Sequence, residues 1–373
     1  MKNRGSCFST IGAEARLKIW PRQSRAHRVA QEHFAEARLN RCLTGKKICL
    51  ALALLSGAGA FTAHAQSGAP LKLTQIIPLP GVEGRIDHLA LDAAGERLFV
   101  CALGNNSVEV LDLRKAQRIH SITGLGAPQG IAYVPESDRI VVANDKGGIC
   151  STYDGKSFQP VGELNFRDDA DNVRYDEPAK KIYVGFGSGG IGVIDAIDGK
   201  QLGSIKLAAH PEAFEIEKHG SRIFVNVPDA RQVAVIDREQ RKVIATWKTN
   251  GAFGNFPMAL DETNHRLFVG CRLPSKLVVL NTESGDAVAS IGISGDPDDI
   301  FFDSKRHRVF LICGAGAIDV IEQRSVDSYK TMTRFPTAAG ARTGAFMPEQ
   351  DKLFVAFPHR GSQPAEVRTY RIE

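Results

Sequence analysis

The residues of this chain that could do chemistry are concentrated in seven short lead-in segments, each directly ahead of a predicted strand. The segments are Arg85-Ile86-Asp87-His88, Ala127-Pro128-Gln129-Gly130, Asp169-Ala170-Asp171-Asn172, His210-Pro211-Glu212-Ala213, Gly254-Asn255-Phe256-Pro257, Asp296-Pro297-Asp298-Asp299 and Gly340-Ala341-Arg342-Thr343. The strands around them repeat, whereas their polar side chains change from one segment to the next. A site built once on a repeated scaffold needs a different residue from each repeat, so this variation favours a functional site.

Metal-assisted catalysis is one chemistry that these side chains could support. Carboxylate and amide oxygens suit Ca²⁺ or Mg²⁺, and the candidate ligands are Asn172, Glu212, Asn255 and Asp299. A metal held by them could polarise an ester carbonyl and activate a water molecule. His88 or His210 would then be the catalytic proton acceptor.

Binding without catalysis is the other chemistry. The candidate ligand-binding residues are polar lead-in side chains and one loop pair: Arg85, Asp87, Gln129, Asp171, Asp298, Arg342, His359 and Arg360. A structural explanation competes with both, because a solvent-filled surface tolerates any polar residue. In that case Pro128, Pro211 and Pro297 would only shape turns.

The elements that must position these residues form a repeat. Seven strand cores share the order basic, aliphatic, mostly aromatic, aliphatic: Arg97 to Val100, Arg139 to Val142, Lys181 to Val184, Arg222 to Val225, Arg266 to Val269, Arg308 to Leu311 and Lys352 to Val355. Their starts are 42, 42, 41, 44, 42 and 44 residues apart. A period of this length is typical of β-propellers and solenoids.

Each repeat contains four predicted strands, which is the content of one propeller blade. The sequence therefore predicts an all-β fold, a seven-bladed β-propeller with four-stranded antiparallel blades and the lead-in segments around one channel mouth. The last repeat ends after its third strand, and Leu73 to Leu79 has the pattern of the missing fourth one. We expect this N-terminal strand to close the ring, because closure removes exposed strand edges.

The strand cores resemble those of the YVTN-type seven-bladed propellers, as in Lys181-Ile182-Tyr183-Val184-Gly185. The resemblance covers roughly residues 71 to 373 and implies the fold. The broad family includes binding scaffolds and metal-dependent lactonase-like or lyase-like enzymes, so the resemblance does not choose a function. The candidate metal ligands resemble those of gluconolactonase-type propellers in ligand type, although those propellers have six blades.

The first 65 residues have the features of a leader and signal peptide. Lys46-Lys47 precede an apolar run from Ile48 to Phe61, and Ala63-His64-Ala65 has the small-x-small pattern of a signal peptidase site before Gln66. The run is shorter than the ~17 residues that a membrane-spanning helix needs. We therefore predict one propeller domain at 66–373, periplasmic or secreted, with no membrane span after signal removal.

The charge of the exported part argues against nucleic-acid binding. Without residues 1–65 the chain keeps 36 of its 47 basic and 39 of its 42 acidic residues, so its net charge is near −3. A nucleic-acid-binding domain would need a clustered basic face. Familiar catalytic, phosphate-binding, zinc and haem motifs are also absent from the sequence.

These observations predict an exported, monomeric scaffold that binds a small polar ligand or a protein partner at the channel mouth. The alternative is a metal-dependent lactonase-like hydrolase or lyase with a Ca²⁺ or Mg²⁺ site there. The binding interpretation is preferred, since it needs only recognition by the varied polar side chains.

Overall fold

The structure, a computed structural model, describes residues 69–373. The predicted leader, signal peptide and cleavage site before Gln66 lie outside these residues. The described chain forms seven four-stranded antiparallel sheets, and the innermost strands of all seven line one central channel. This arrangement confirms the seven-bladed β-propeller.

The strands follow one another through the blades in chain order. The N-terminal strand β1 is Leu71–Pro78. Blade 1 holds β2 (Leu89–Asp92), β3 (Arg97–Ala102), β4 (Ser107–Asp112) and β5 (Gln117–Thr123). Blade 2 holds β6 (Pro128–Val134), β7 (Arg139–Asn144), β8 (Ile149–Asp154) and β9 (Pro160–Asn165). Blade 3 holds β10 (Ala170–Asp176), β11 (Lys181–Phe186), β12 (Gly190–Asp195) and β13 (Gln201–Lys206).

The second half of the ring repeats the same order. Blade 4 holds β14 (Phe214–Ile216), β15 (Arg222–Val227), β16 (Gln232–Asp237) and β17 (Lys242–Lys248). Blade 5 holds β18 (Phe253–Asp261), β19 (Arg266–Leu273), β20 (Ser275–Asn281) and β21 (Ala287–Gly292). Blade 6 holds β22 (Pro297–Asp303), β23 (Arg308–Cys313), β24 (Ala317–Ser325) and β25 (Ser328–Pro336). Blade 7 holds β26 (Gly344–Met347), β27 (Lys352–Phe357) and β28 (Glu366–Ile372).

The predicted ring closure is confirmed by the strand pairing of blade 7. β1 pairs antiparallel with β28, with Leu71 opposite Ile372 and Pro78 opposite Glu366. The N-terminal strand thus supplies the fourth strand that the last repeat lacks. Closure leaves no blade without its outer strand.

The described part of the chain has five single-turn 3-10 helices in its loops. They are Leu103–Asn105, Pro135–Ser137, Lys146–Gly148, Pro228–Ala230 and Pro348–Gln350. Within residues 69–373, no helix is long and apolar enough to cross a membrane.

The apolar core lies between neighbouring blades. Phe99 of blade 1 shares a buried cluster with Ile140 of blade 2, and Phe268 of blade 5 shares one with Val309 of blade 6. Burying each such side chain contributes ~1.5–3 kcal/mol. Each repeated strand core therefore stabilises its own blade and the next one.

The basic residue that opens a strand core also ties blades together. Arg97 donates to Tyr133 Oη and Asp138 Oδ1 of blade 2, both at 3.1 Å. Arg222 of blade 4 reaches Glu283 of blade 5 at 2.9 Å. These contacts give a structural reason for the repeated basic position.

The four cysteines among the described residues are buried and free: Cys101, Cys150, Cys271 and Cys313. They act as small apolar residues of the strands.

Candidate functional site

The lead-in segments enter the innermost strands, and the loops between second and third strands open on the same face. His210 of blade 4 contacts the carbonyl of Gly187, which lies in such a loop of blade 3. Arg272, near the end of β19 and beside the corresponding loop of blade 5, pairs with Asp298 of blade 6. The segments and these loops therefore form one channel mouth.

Irregular strand pairing turns the lead-in side chains towards this mouth. The pairing of first and second strands shifts register between Pro128 and Ile131, Ala170 and Val173, Asn255 and Met258, and Pro297 and Asp299. A β-bulge of this kind re-aims side chains and is frequent beside functional sites. These register shifts occur in four blades, at the lead-in residues whose types differ from blade to blade.

A first group of mouth side chains is an ion-pair cluster between blades 5, 6 and 7. Arg342 Nε lies 2.9 Å from Asp298 Oδ2, and its Nη1 lies 2.9 Å from Asp296 Oδ2. Arg272 also pairs with Asp298 and stacks on Phe256, 3.6 Å from the ring centroid. Burial disfavours the Asp298 charge, but Arg342 and Arg272 outweigh burial and hold the pKa of Asp298 well below its usual range. This cluster is internally neutralised.

A second group joins blades 1 and 6. Arg85 Nη2 lies 2.6 Å from Asp87 Oδ2, and His88 Nδ1 lies 3.3 Å from Asp299 Oδ1. Burial raises the pKa of Asp87, against the charges of Arg85 and His88. Burial would lower the pKa of His88, but Asp299 and Asp87 outweigh burial and raise it to about 10. His88 is therefore a cation at neutral pH.

A third group joins blades 2, 3 and 4. Asp171, His210 and Glu212 each offer one atom to a set in which all atoms lie within 4.8 Å of one another. Gln129 Nε2 donates to Asp169 Oδ1 at 2.9 Å, and Asp169 Oδ2 lies 3.9 Å from His210 Nδ1. These residues bring three carboxylates, those of Asp169, Asp171 and Glu212, against the His210 imidazole.

The pKa values of the third group reflect this crowding. Burial, followed by repulsion from Asp171, raises the pKa of Glu212 to about 8. Burial would lower the pKa of His210, but Asp171 and Glu212 outweigh burial and raise it to about 10. Burial also raises the pKa of Asp169 to about 7, against the charge of His210. The fold thus holds these carboxylates close together although their negative charges repel one another.

The predicted oxygen ligands Asn172, Glu212, Asn255 and Asp299 take different partners. Asn255 Nδ2 donates to Asn226 Oδ1 at 2.8 Å, and Asp299 Oδ2 accepts from the Gly344 amide at 2.8 Å. Glu212 belongs to the third group instead. The Ca²⁺ or Mg²⁺ site built from these four residues stays a prediction.

The two predicted loop residues lie at the rim. His359 Nδ1 is 2.7 Å from Glu83 Oε2, and its side chain is 38% exposed. Arg360 is exposed, and its backbone pairs with Gln363. Neither contact includes a member of the three charged groups.

Below the mouth, the channel holds a cavity of about 320 Å³. His88 and Asp299 of the second group line it, together with Arg174, Glu215 and Phe301. Arg174 Nη1 donates to the Val173 carbonyl at 3.0 Å. Among the described ion pairs, none includes either Arg174 or Glu215. Burial raises the pKa of Glu215, against the charge of Arg174.

Arg174 and Glu215 were not among the residues predicted from the sequence, although a signal for them exists. They lie two positions beyond the lead-in segments, where the aligned repeats carry Ala90, Ala132, Ala259 and Ala345. The same comparison between blades, continued two residues into the strand, finds them. Arg272 is likewise a charged residue at a position that is Gly or Pro in four other repeats.

Comparisons with known proteins agree on the fold. No family model matches this chain, so the YVTN-type resemblance rests on the repeat itself. The chain is similar to hydrazine synthase of Kuenenia stuttgartiensis, with a TM-score of 0.65, 17% identity, and coverage of 78% of this chain and 95% of that one. Sequence identity at this level supports a shared fold and nothing further.

Two further solved structures share the architecture. A chain of the mitotic checkpoint complex matches with a TM-score of 0.68 and 12% identity, covering 88% of this chain and 99% of that one. The RRP9 WD40 repeats match with a TM-score of 0.70 and 9% identity, covering 82% and 98%. The chain is a propeller scaffold, and such scaffolds serve many functions.

Proposed function

We propose that this protein is a binding propeller whose channel mouth and cavity take a small polar molecule that carries both a negative and a positive charge. The cavity volume of about 320 Å³ suits a small metabolite. The varied mouth residues give the opening its charged rim. The proposal therefore concerns recognition, not catalysis.

The observation that carries the proposal is the pair of charged side chains in the cavity. Arg174 and Glu215 come from adjacent blades and face the same space, yet neither takes part in an ion pair among the described residues. Arg174 donates to the Val173 carbonyl and lies over the Phe214 ring, 5.6 Å from its centroid, but a partly buried charge without an opposite charge at ion-pair distance still costs stability. Such groups are retained when a ligand supplies the missing partners.

The two charges define the ligand class. A ligand carboxylate or phosphate would pair with the Arg174 guanidinium, which binds planar anions with two parallel hydrogen bonds. A ligand ammonium would pair with the Glu215 carboxylate, and Phe301 offers an aromatic wall beside them. Amino acids and betaines belong to this class.

The geometry does not favour the alternative of a lactone hydrolase. Its proposed proton acceptors are His88 and His210, and a general base must be unprotonated at the operating pH. The carboxylates around His88 raise its pKa to about 10. His210 Nδ1 donates to the Gly187 carbonyl at 2.7 Å, and the carboxylates around the ring raise the pKa of His210 to about 10 as well.

Thermal unfolding in the presence of ligands tests the proposal. The panel is the standard amino acids and glycine betaine, compared with N-acetyl amino acids and simple amines that carry one charge. We expect a zwitterion to stabilise the full-length protein, and Arg174→Gln and Glu215→Gln each to remove the effect. Glu239→Gln and Lys242→Gln, which change exposed charges away from the cavity, should keep it. Equal shifts in all four variants would contradict the proposal.

We also propose export to the periplasm or the medium, on the leader features alone, and a monomeric state for the exported chain. Mass spectrometry of the exported protein should find a mature N-terminus near Gln66. A mature chain that begins upstream of Lys46 would contradict export by this signal.

A further inference from the structure

The third charged group of the mouth has the composition of a metal site that includes nitrogen. Three of its members are two carboxylates and one imidazole from blades 3 and 4, and their ligand atoms lie within 4.8 Å of one another. We propose that Asp171, His210 and Glu212 bind a divalent transition-metal ion of the Zn²⁺ or Mn²⁺ class. This site differs from the oxygen-only set predicted from the sequence, with which it shares Glu212.

The orientation of His210 supports this assignment. A carbonyl oxygen only accepts, so the 2.7 Å contact with Gly187 means that Nδ1 carries the hydrogen. Nε2 then faces Asp171 Oδ2 at 3.7 Å, which is too long for a hydrogen bond. A metal-bound histidine commonly donates its other ring hydrogen to a backbone carbonyl in this way.

The two carboxylates provide a second, independent observation. Asp171 is only 8% exposed, and its Oδ2 forms a long ion pair with His210 Nε2 at 3.7 Å. Its Oδ1 faces the amide nitrogen of Asn172 at 3.3 Å. The Glu212 carboxylate is half-buried, and His210 and Arg272 are the cations that act on it. Two carboxylates so close together favour a cation between them, which is either the protonated His210 or a bound metal ion.

The ligand types select the class of metal. Ca²⁺ prefers six to eight oxygen ligands, and Mg²⁺ keeps several waters with one or two carboxylates. Imidazole with carboxylates suits Zn²⁺ and neighbouring transition metals. The three atoms lie within 4.8 Å of one another, so their side chains would have to move closer together to hold one ion at ~2.0–2.2 Å. Three protein ligands would leave a position for water.

A protonated His210 could neutralise the same carboxylates, so the experiment needs a readout that only a metal gives. The full-length chain is treated with EDTA, dialysed and titrated calorimetrically with ZnCl₂, MnCl₂ and CaCl₂. Co²⁺ is added separately, because its visible absorption reports nitrogen and oxygen ligation directly. We expect binding of Zn²⁺ or Mn²⁺ to be much tighter than that of Ca²⁺.

Variants assign the ion to this group. Asp171→Asn, His210→Gln and Glu212→Gln should each weaken the Zn²⁺ or Mn²⁺ affinity by more than about 100-fold. Asp229→Asn changes an exposed carboxylate of a loop on the same face and should leave the affinity unchanged. Glu212→Asp keeps a carboxylate and should retain part of the Co²⁺ absorption.

Two results would overturn the proposal. One is the absence of a bound transition metal in wild-type protein that unfolds cooperatively. The other is unchanged Zn²⁺ affinity and Co²⁺ absorption in the three variants, which would place the ion elsewhere, for example on exposed His219 or His265. If one variant does not fold, the other two still decide. The ion is tested alone, so the result does not depend on whether a zwitterion binds.

Discussion

The His88 imidazole of blade 1 lies 3.3 Å from the Asp299 carboxylate of blade 6. The second oxygen of Asp299 accepts a hydrogen bond from the Gly344 amide of blade 7 at 2.8 Å. The Asp299 carboxylate of blade 6 thus contacts both blade 1 and blade 7, and blade 7 is the one that β1 completes. His88 and Asp299 belong both to the charged mouth and to the cavity wall.

Replacing His88 should change the dependence of stability on pH. Asp299, Asp87 and Asp171 act on the imidazole, and they raise its pKa from 6.5 to about 10. A raised pKa means that the folded state favours the charged form, so the stabilisation is complete below pH 6.5 and is lost as the pH rises towards 10. Below that window His88→Gln should lower the free energy of unfolding by an amount on the order of 2 kcal/mol.

Urea unfolding of wild type and His88→Gln across this pH range measures the effect. The difference between the two proteins should shrink as the pH rises. His219→Gln is the matched control, because its side chain is 88% exposed. A difference that stays constant with pH, or that grows, would contradict a charged His88.

Replacing Glu215 should stabilise the unliganded protein. Burial raises the pKa of Glu215 above the ordinary value of 4.5, so the ionised carboxylate costs stability at neutral pH. We expect Glu215→Gln to raise the free energy of unfolding by about 1 kcal/mol at neutral pH, and the gain to vanish once the pH falls below the ordinary pKa. Chemical unfolding at the two pH values measures it. A destabilised variant at neutral pH would show that Glu215 has a partner in the free protein.

Removing Arg342 should be strongly destabilising, because Asp298 would then lose one of its two principal cations. Breaking a buried ion pair from one side costs ~3–5 kcal/mol. The double variant Arg342→Ala with Asp298→Ala should recover part of this loss, since the carboxylate is removed as well. Arg324→Ala, at a side chain 52% exposed, should cost less than ~1 kcal/mol. Additive losses in the double variant would show that the two residues do not depend on each other.

Ring closure by β1 is tested by two neighbouring isoleucines. Ile77 is 0% exposed and packs into the cluster between blades 7 and 1, whereas Ile76 is 44% exposed. Ile77→Ala should lower the free energy of unfolding by ~2–5 kcal/mol, and Ile76→Ala by less than ~1 kcal/mol. Similar small losses in both would mean that the strand contributes little to the closed ring.

The sequence predicts the scaffold well because each blade repeats the same pattern of apolar and basic strand residues. The strand cores Arg97 to Val100 and Lys352 to Val355 lie at the start of β3 and β27, as their spacing indicates. The missing fourth strand of the last repeat is predicted at Leu73 to Leu79, and the structure places it at Leu71–Pro78. Because the pattern recurs in seven repeats, each strand of a blade is predicted from several copies.

The site is less predictable, because it depends on which blades face one another across the channel. The lead-in comparison finds Asp171, His210 and Glu212, but it assigns a metal to Asn172, Glu212, Asn255 and Asp299. Spacing along the chain does not show that the His210 ring turns towards Asp171 once Gly187 accepts its hydrogen. Arg174 and Glu215 lie inside regular strands, where an alternating pattern alone does not distinguish the channel from the core.

The most direct measurement of the central claim is the coupling between Glu215 and the ammonium group of a bound zwitterion. Calorimetric titration is done for wild type and Glu215→Gln, each with the tightest-binding zwitterion of the panel and with its N-acetyl analogue. Our account predicts a coupling free energy of at least ~1 kcal/mol, because each change alone should remove the same ion pair. A coupling of zero, with the zwitterion bound equally by both proteins, would contradict it.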